Sequence, residues 1–263
     1  MDYDDAYANA PYISDADAYP PRWAQAASAF RHQMAVEGRA RLGLMYGHGT
    51  RNALDIFLPL ARPAGLVVFV HGGYWLRFDR SDWSHFAQGA VDRGWAVAMP
   101  SYDLCPRVRI ADITRQVADA ITVAAHEVSG PVRVTGHSAG GHLSARMTQP
   151  GVLPDDVAGR VDRVVPISPV SDLRPLCKTL MNQKFNMTEA DAAAESPALM
   201  PAPDKDVRVW VGAQERPVFV DQARWLSQAW TAPLTIAPGL HHFDVIDGLA
   251  RSDSALMADI LGA

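Results

Sequence analysis

Eight short apolar runs recur along the chain, at residues 42–46, 53–58, 66–70, 96–99, 132–135, 164–167, 207–211 and 234–236. The clearest, Leu66-Val67-Val68-Phe69-Val70, is apolar at every position, which predicts a strand buried on both faces. Helical patterns lie between the runs. The most regular places Ile110, Ile113, Val117, Ile121, Ala124 and Val128 at intervals of three and four, so one face of a helix is buried. Strands alternating with helices predict an α/β architecture: a largely parallel sheet covered by helices on both faces. The loops at the carboxyl ends of its strands then converge on one rim.

Two segments interrupt the alternation. Residues 1 to about 40 carry Tyr3, Tyr7, Tyr12, Tyr19 and Trp23, with Pro20-Pro21 breaking the pattern before a helical stretch from Arg22 to Glu37. Residues 170–203 are rich in Met, Ala and Pro and separate two of the large strands. Both are expected to cap the rim, with Met181, Phe185 and Met187 as candidate pocket residues. No internal repeat or low-complexity linker divides the chain. Its 263 residues, 48% of them hydrophobic, suffice for one large core, so residues 1–263 are expected to form a single domain.

Charge narrows the classes of partner. A net charge of −5 without any Lys/Arg block leaves no electrostatic footprint for nucleic acid or an anionic membrane, and points to a small-molecule substrate. The acidic start Met1-Asp2-Tyr3-Asp4-Asp5 is followed by no apolar segment of the signal-peptide kind, and no run approaches the ~18 apolar residues of a membrane span. A soluble, cytoplasmic protein is expected. Cys105 and Cys177 are the two cysteines, and without C-x-x-C spacing they read as free thiols. The histidines show neither H-x-x-x-H nor Cys/His ligand spacing, so neither a metal nor a cofactor is expected.

Chemistry is concentrated in four loops. Gly136-His137-Ser138-Ala139-Gly140 follows the run at 132–135 and precedes a helix-compatible stretch from Gly141 to Met147. A G-x-S-x-G pentapeptide in that setting is a nucleophile elbow, whose strained turn brings backbone so close that only small residues fit two positions either side of the serine. His71-Gly72-Gly73-Tyr74-Trp75 follows the run at 66–70, and a glycine pair there can present backbone N–H donors to an oxyanion. Gly73, Tyr74 and Ala139 are the expected donors. His71, at a strand end ahead of the serine, is expected to brace the loop. In the order Ser, acid, His, the base must come from His241 or His242, the only histidines beyond His142. His242 is chosen, because it directly precedes an aromatic residue read as opening a helix. The acid is Glu215, in the loop after the run at 207–211, with Asp172 as the rival and Asp206 and Asp221 behind it. A carboxylate at the imidazole N–H fixes the tautomer whichever side chain delivers it.

These residues resemble the α/β-hydrolases and, among them, the kynurenine formamidase (arylformamidase) family. The resemblance runs through Tyr46-Gly47, Leu54-Asp55-Ile56-Phe57-Leu58-Pro59, His71 to Trp75, Tyr102-Asp103-Leu104-Cys105-Pro106, Gly136 to Leu143, Asp172 to Leu176, Ser196-Pro197 and Gly239 to Phe243. The related hormone-sensitive-lipase-like esterases usually carry a third glycine in the oxyanion motif. The departure is the acid loop, where the family usually has aspartate followed by Ser-Pro and this chain has Glu215-Arg216-Pro217. The resemblance implies an α/β-hydrolase fold with a small helical cap, a homodimer, and a reaction in which N-formyl-L-kynurenine yields L-kynurenine and formate through an acyl-enzyme on Ser138. A formyl group needs almost no acyl pocket, whereas the aromatic leaving group needs a flat apolar wall, for which Tyr74, Trp75 and Tyr102 are the candidates, Trp75 being equally readable as a packing residue under the cap. Two alternatives stand beside this reading: a carboxylesterase or amidase for another small substrate, and a non-catalytic hydrolase-fold receptor. Intact serine, histidine and oxyanion loop argue against the receptor.

Overall fold

A computed structural model describes residues 2–262. Nine strands form one sheet: β1 (Ala40–Met45), β2 (Ala53–Phe57), β3 (Leu66–Val70), β4 (Ala96–Pro100), β5 (Val132–His137), β6 (Val161–Ile167), β7 (Asp206–Val207), β8 (Val209–Gly212) and β9 (Leu234–Ala237). Their order is β1-β2-β4-β3-β5-β6-β8-β9, with β7 also paired to β6. Pairing is antiparallel for β1 with β2 and β2 with β4, and parallel from β4 to β9. The run at 207–211 is thus two short strands, broken where the Arg208 N–H turns to the Val164 carbonyl at 3.0 Å.

The sheet is buried on both faces because its strands carry apolar residues at successive positions. Leu66, Val68 and Val70 face one core, against the helices Ile110–Glu127, Ala139–Arg146 and Pro217–Trp230. Val67 and Phe69 face the other, against the helices Tyr19–Val36, Gln88–Asp92 and Ala255–Leu261. This is the period-two geometry of a strand with no solvent face. The six residues at three-and-four spacing from Ile110 to Val128 are all buried.

Three expectations are corrected. The helix read from Arg22 begins at Tyr19, with the prolines inside its first turn, where a missing N–H costs no intrahelical bond; Pro20-Pro21 therefore starts the helix. No helix opens at Phe243: residues 241–246 form turns, and the next regular helix is Ala255–Leu261. Residues 170–203 fold into short helical turns beside the helices Ile110–Glu127 and Pro217–Trp230, line none of the space at Ser138, and meet the N-terminal segment at Leu180 and Met181. Among their candidate pocket residues, Phe185 is fully buried against Trp75, Met187 lies at a hollow beside Arg109, and Met181 lies at a surface groove. Among the described residues, no helix is long and apolar enough to cross a membrane.

Candidate active site

Ser138 sits where β5 meets the helix Ala139–Arg146, with φ 57° and ψ −114°. A non-glycine residue with positive φ costs energy and persists only where its surroundings hold it. Here the Ser138 N–H donates to the Ile167 carbonyl at 2.9 Å and the Ser138 carbonyl accepts from His142 N–H at 3.0 Å. The glycines make room for this turn. A Cβ on Gly136 would strike the Gly140 carbonyl, one on Gly140 the Val70 carbonyl, and one on Gly141 would lie 2.6 Å from the Ile167 carbonyl.

The loop after β3 lies directly against the serine: a Cβ on Gly72 would come within 3.3 Å of Ser138 Cβ. Gly73, Tyr74 and Trp75 follow with φ 111°, 56° and 56°, a reversal that leaves the N–H groups of Gly73 and Tyr74 without a backbone acceptor among the described residues. The N–H of Ala139, first in its helix, is likewise free of an intrahelical partner. His71 braces the loop from beneath, its Nδ1 2.8 Å from the Gly72 carbonyl and its ring stacked on Tyr102 at 4.2 Å. Burial pushes its pKa down to about 4 and so keeps it neutral.

Glu215 and His242 meet from the loops after β8 and β9. Oε2 of Glu215 lies 2.5 Å from His242 Nδ1, and both side chains are almost fully buried. Oε1 accepts from the Gly212 N–H at 2.8 Å and from Ser168 Oγ at 2.5 Å. The two loops are also joined through backbone, Ala213 N–H to the Ala237 carbonyl and Gln214 N–H to the Leu240 carbonyl, each at 2.8 Å. Asp172 has no part in this cluster. Its burial opposes ionisation, but hydrogen bonds and charge from Arg174 outweigh burial and hold the carboxyl below the usual aspartate range. His241 closes the neighbouring turn, with Nδ1 accepting from the Phe243 N–H at 3.1 Å and Nε2 facing the Tyr19 hydroxyl at 3.1 Å.

Ser138, His242, Gly73 and Tyr74 line one cavity of about 80 Å³. In this resting arrangement the serine hydroxyl is not hydrogen-bonded to the imidazole, a looseness common before a substrate is bound. The aromatic wall is not the expected one. Trp75 and Tyr102 are wholly buried in the core: Trp75 packs edge-on against His142 and Phe185, and Tyr102 donates to the His71 carbonyl at 2.8 Å. Tyr74 remains at the cavity, together with Trp23, Phe78, Trp83 and Phe243. The roof is N-terminal, made of Ala10, Ala16, Asp17 and Pro20. It is tied down at Tyr74, whose hydroxyl donates to the Tyr7 carbonyl at 2.7 Å and accepts from Asn9 Nδ2 at 2.8 Å.

The site residues not singled out from sequence include Phe78 and Trp83 of the cavity wall, and also Ser168 and His137. Ser168, with φ 47°, supports Glu215; its signal was its place immediately after β6, at the rim. His137 precedes Ser138 and lies 4.6 Å from the His242 ring, centre to centre. Burial, with the His242 charge as a second contribution, drives its pKa well below the usual value and keeps it neutral.

A mainly parallel sheet bearing a strained serine turn, with an acid–histidine pair delivered by the last two strand ends, defines an α/β-hydrolase, and the chain's relatives are hydrolytic enzymes. Residues 54–191 match the BD-FAE family, and the chain belongs to that family. It is similar to the kynurenine formamidase of Drosophila melanogaster, 31% identical over 233 residues that cover 80% of this chain and 77% of that protein. Among solved structures, a provisionally assigned thioesterase from Silicibacter sp. TM1040 superposes with a TM-score of 0.97 at 57% identity, covering 99% of both chains. An esterase of Pyrobaculum calidifontis shares the fold with a TM-score of 0.71 at 17% identity, over 94% of this chain and 89% of that one.

Proposed function

We propose that this hydrolase cleaves an aryl formamide, N-formyl-L-kynurenine, to L-kynurenine and formate through a formyl-enzyme on Ser138. The observation that carries the reading is the small cavity lined by both Ser138 and His242, the latter paired with buried Glu215. The similarity to kynurenine formamidase along most of the chain supports the same substrate.

In this mechanism His242 Nε2 takes the proton of Ser138 Oγ as the oxygen attacks the formyl carbon, while Glu215 holds the imidazole by Nδ1–H and stabilises the imidazolium. The N–H groups of Gly73, Tyr74 and Ala139 receive the developing oxyanion. His242 then gives the proton to the departing aryl amine nitrogen as the C–N bond breaks. Water, deprotonated by His242, attacks the formyl ester; formate leaves and the serine is restored.

The name of the Silicibacter relative favours a second reading, hydrolysis of a small ester or thioester by the same groups. The test follows kynurenine release from N-formyl-L-kynurenine alongside turnover of a short p-nitrophenyl ester and an acetyl thioester, with wild type and Ser138→Ala. Deformylation that falls by at least ~10³-fold in the variant is the expected result. Ester or thioester turnover alone would keep the serine chemistry and move the substrate to the second reading. Turnover that survives the loss of Ser138 would overturn the mechanism.

A further inference from the structure

The cavity at Ser138, at about 80 Å³, is small beside the ~300–1,000 Å³ of sites that enclose drug-sized ligands. A second, more open hollow of about 370 Å³ adjoins it, and Ala10, Tyr74, Arg77 and Phe243 line both. Its remaining walls include the apolar faces of Tyr7, Leu76 and Met181. Arg77 is the one guanidinium or ammonium group lining either space among the described residues.

The neighbouring arginines are committed to the fold: Arg51 donates to the Tyr102 carbonyl at 2.8 Å, and Arg80 pairs with buried Asp55 at 3.0 Å. Arg77 has no such partner. Its side chain makes no ion pair or hydrogen bond with the described residues, and its guanidinium carbon lies 5.3 Å from the centre of the Phe78 ring, a contact that limits its wandering without using its donors. An arginine fork with free donors matches a carboxylate in a bidentate pair. Arg77 is solvent-exposed, but it stands where the two hollows join, three residues beyond Tyr74. Asp17 also lines the inner cavity and makes no ion pair among the described residues, so the two spaces together present both signs of charge that an α-amino acid requires.

We propose that Arg77 captures the carboxylate of an aromatic α-amino-acid substrate, the aryl portion lying in the outer hollow against Tyr7, Leu76 and Met181 while the acyl group enters the cavity at Ser138. The assignment rests on the formamidase reading for the kind of substrate, and it is tested without catalysis. Calorimetric titration compares L-kynurenine with its carboxamide, which lacks the negative charge, on wild type, Arg77→Gln and Arg77→Lys. Wild type is expected to bind the acid at least ~10-fold more tightly than the amide, as loss of a charge-assisted pair implies. Arg77→Gln is expected to bring the acid down to the affinity of the amide while leaving the amide unchanged, and Arg77→Lys to keep part of the preference. Equal binding of acid and amide by wild type, binding of neither, a preference that survives Arg77→Gln, or a parallel loss of both ligands in that variant would each overturn the assignment. A preserved acid preference without any N-formyl-L-kynurenine turnover would discard the formamidase reading and leave Arg77 as the carboxylate site.

Discussion

Glu215 divides its two oxygens between two tasks: Oε2 faces His242, while Oε1 is fixed by the Gly212 N–H and the Ser168 hydroxyl. Glu215→Gln keeps the shape of the side chain but turns a donor toward Nδ1 or withdraws the negative charge, so the histidine loses its working tautomer. Turnover is expected to fall on the order of 10³–10⁴-fold with little change in Tm, measured by steady-state kinetics and thermal unfolding; a fall below tenfold would remove Glu215 from the mechanism. Ser168→Ala frees one lone pair of a buried carboxylate, for which a loss of about 1–3 kcal/mol of stability is expected, read from urea unfolding. The positions of Ser138 and Gly136, Gly140 and Gly141 were legible in the sequence because close backbone contact dictates small residues there. Tyr102 was misread, and Trp75 could be read either way, because a place in a loop at the rim does not fix side-chain direction. The successive positive φ values at Tyr74 and Trp75 turn the indole into the core.

The N-terminal segment is held over the cavity by polar contacts to distant elements. Tyr7 accepts from Gln222 Nε2 at its buried hydroxyl (2.7 Å), and Asp5 pairs with Arg216 at 2.7 Å. Tyr7→Phe leaves the Gln222 amide short of a partner and is expected to loosen residues 2–18, raising their hydrogen exchange and their cleavage by protease while the sheet stays protected. Unchanged exchange would mean that packing alone secures the segment. Its aromatic residues marked it as a cover for the rim, but its partners were hidden because they lie about 200 residues away. In the other presumed cap, residues 170–203, Phe185 was misplaced for a related reason: it has the composition of a pocket residue and finds its apolar surroundings under Trp75 instead. Strands and the helix Ile110–Glu127 were readable because one or two buried faces impose a period on the sequence; turns such as residues 241–246 impose none.

Across the whole molecule, three buried histidines other than His242, together with the partly buried His85, contribute to the acid limit of the fold. Burial lowers His71 and His142 to about 4 and His137 well below its usual value. The unfolded chain therefore binds more protons than the folded one below pH ~6.5, and stability drains away as pH falls from there toward 4, each histidine contributing a slope of up to about 1.4 kcal/mol per pH unit. Thermal unfolding between pH 8 and 4.5 is expected to show a flat Tm above pH ~6.5 and a steep decline beneath it. His142→Gln, which keeps a donor for the Glu195 carbonyl now 2.7 Å from Nε2, should make the decline shallower, and an equally steep profile in that variant would exclude His142 as a source.

The site is also distributed along the chain in a particular order. Ser138 and the oxyanion loop belong to its first 140 residues, whereas Glu215 and His242 stand at the ends of β8 and β9, and the roof from residues 2–18 rests on Arg216 and Gln222. During synthesis Ser138 is therefore made well before the histidine proposed as its base. Under the proposed mechanism, a nascent chain that has emerged as far as β6 would hold Ser138 with nothing to deprotonate it, and the reaction would wait until residue 242 has left the ribosome and the two distant segments have met.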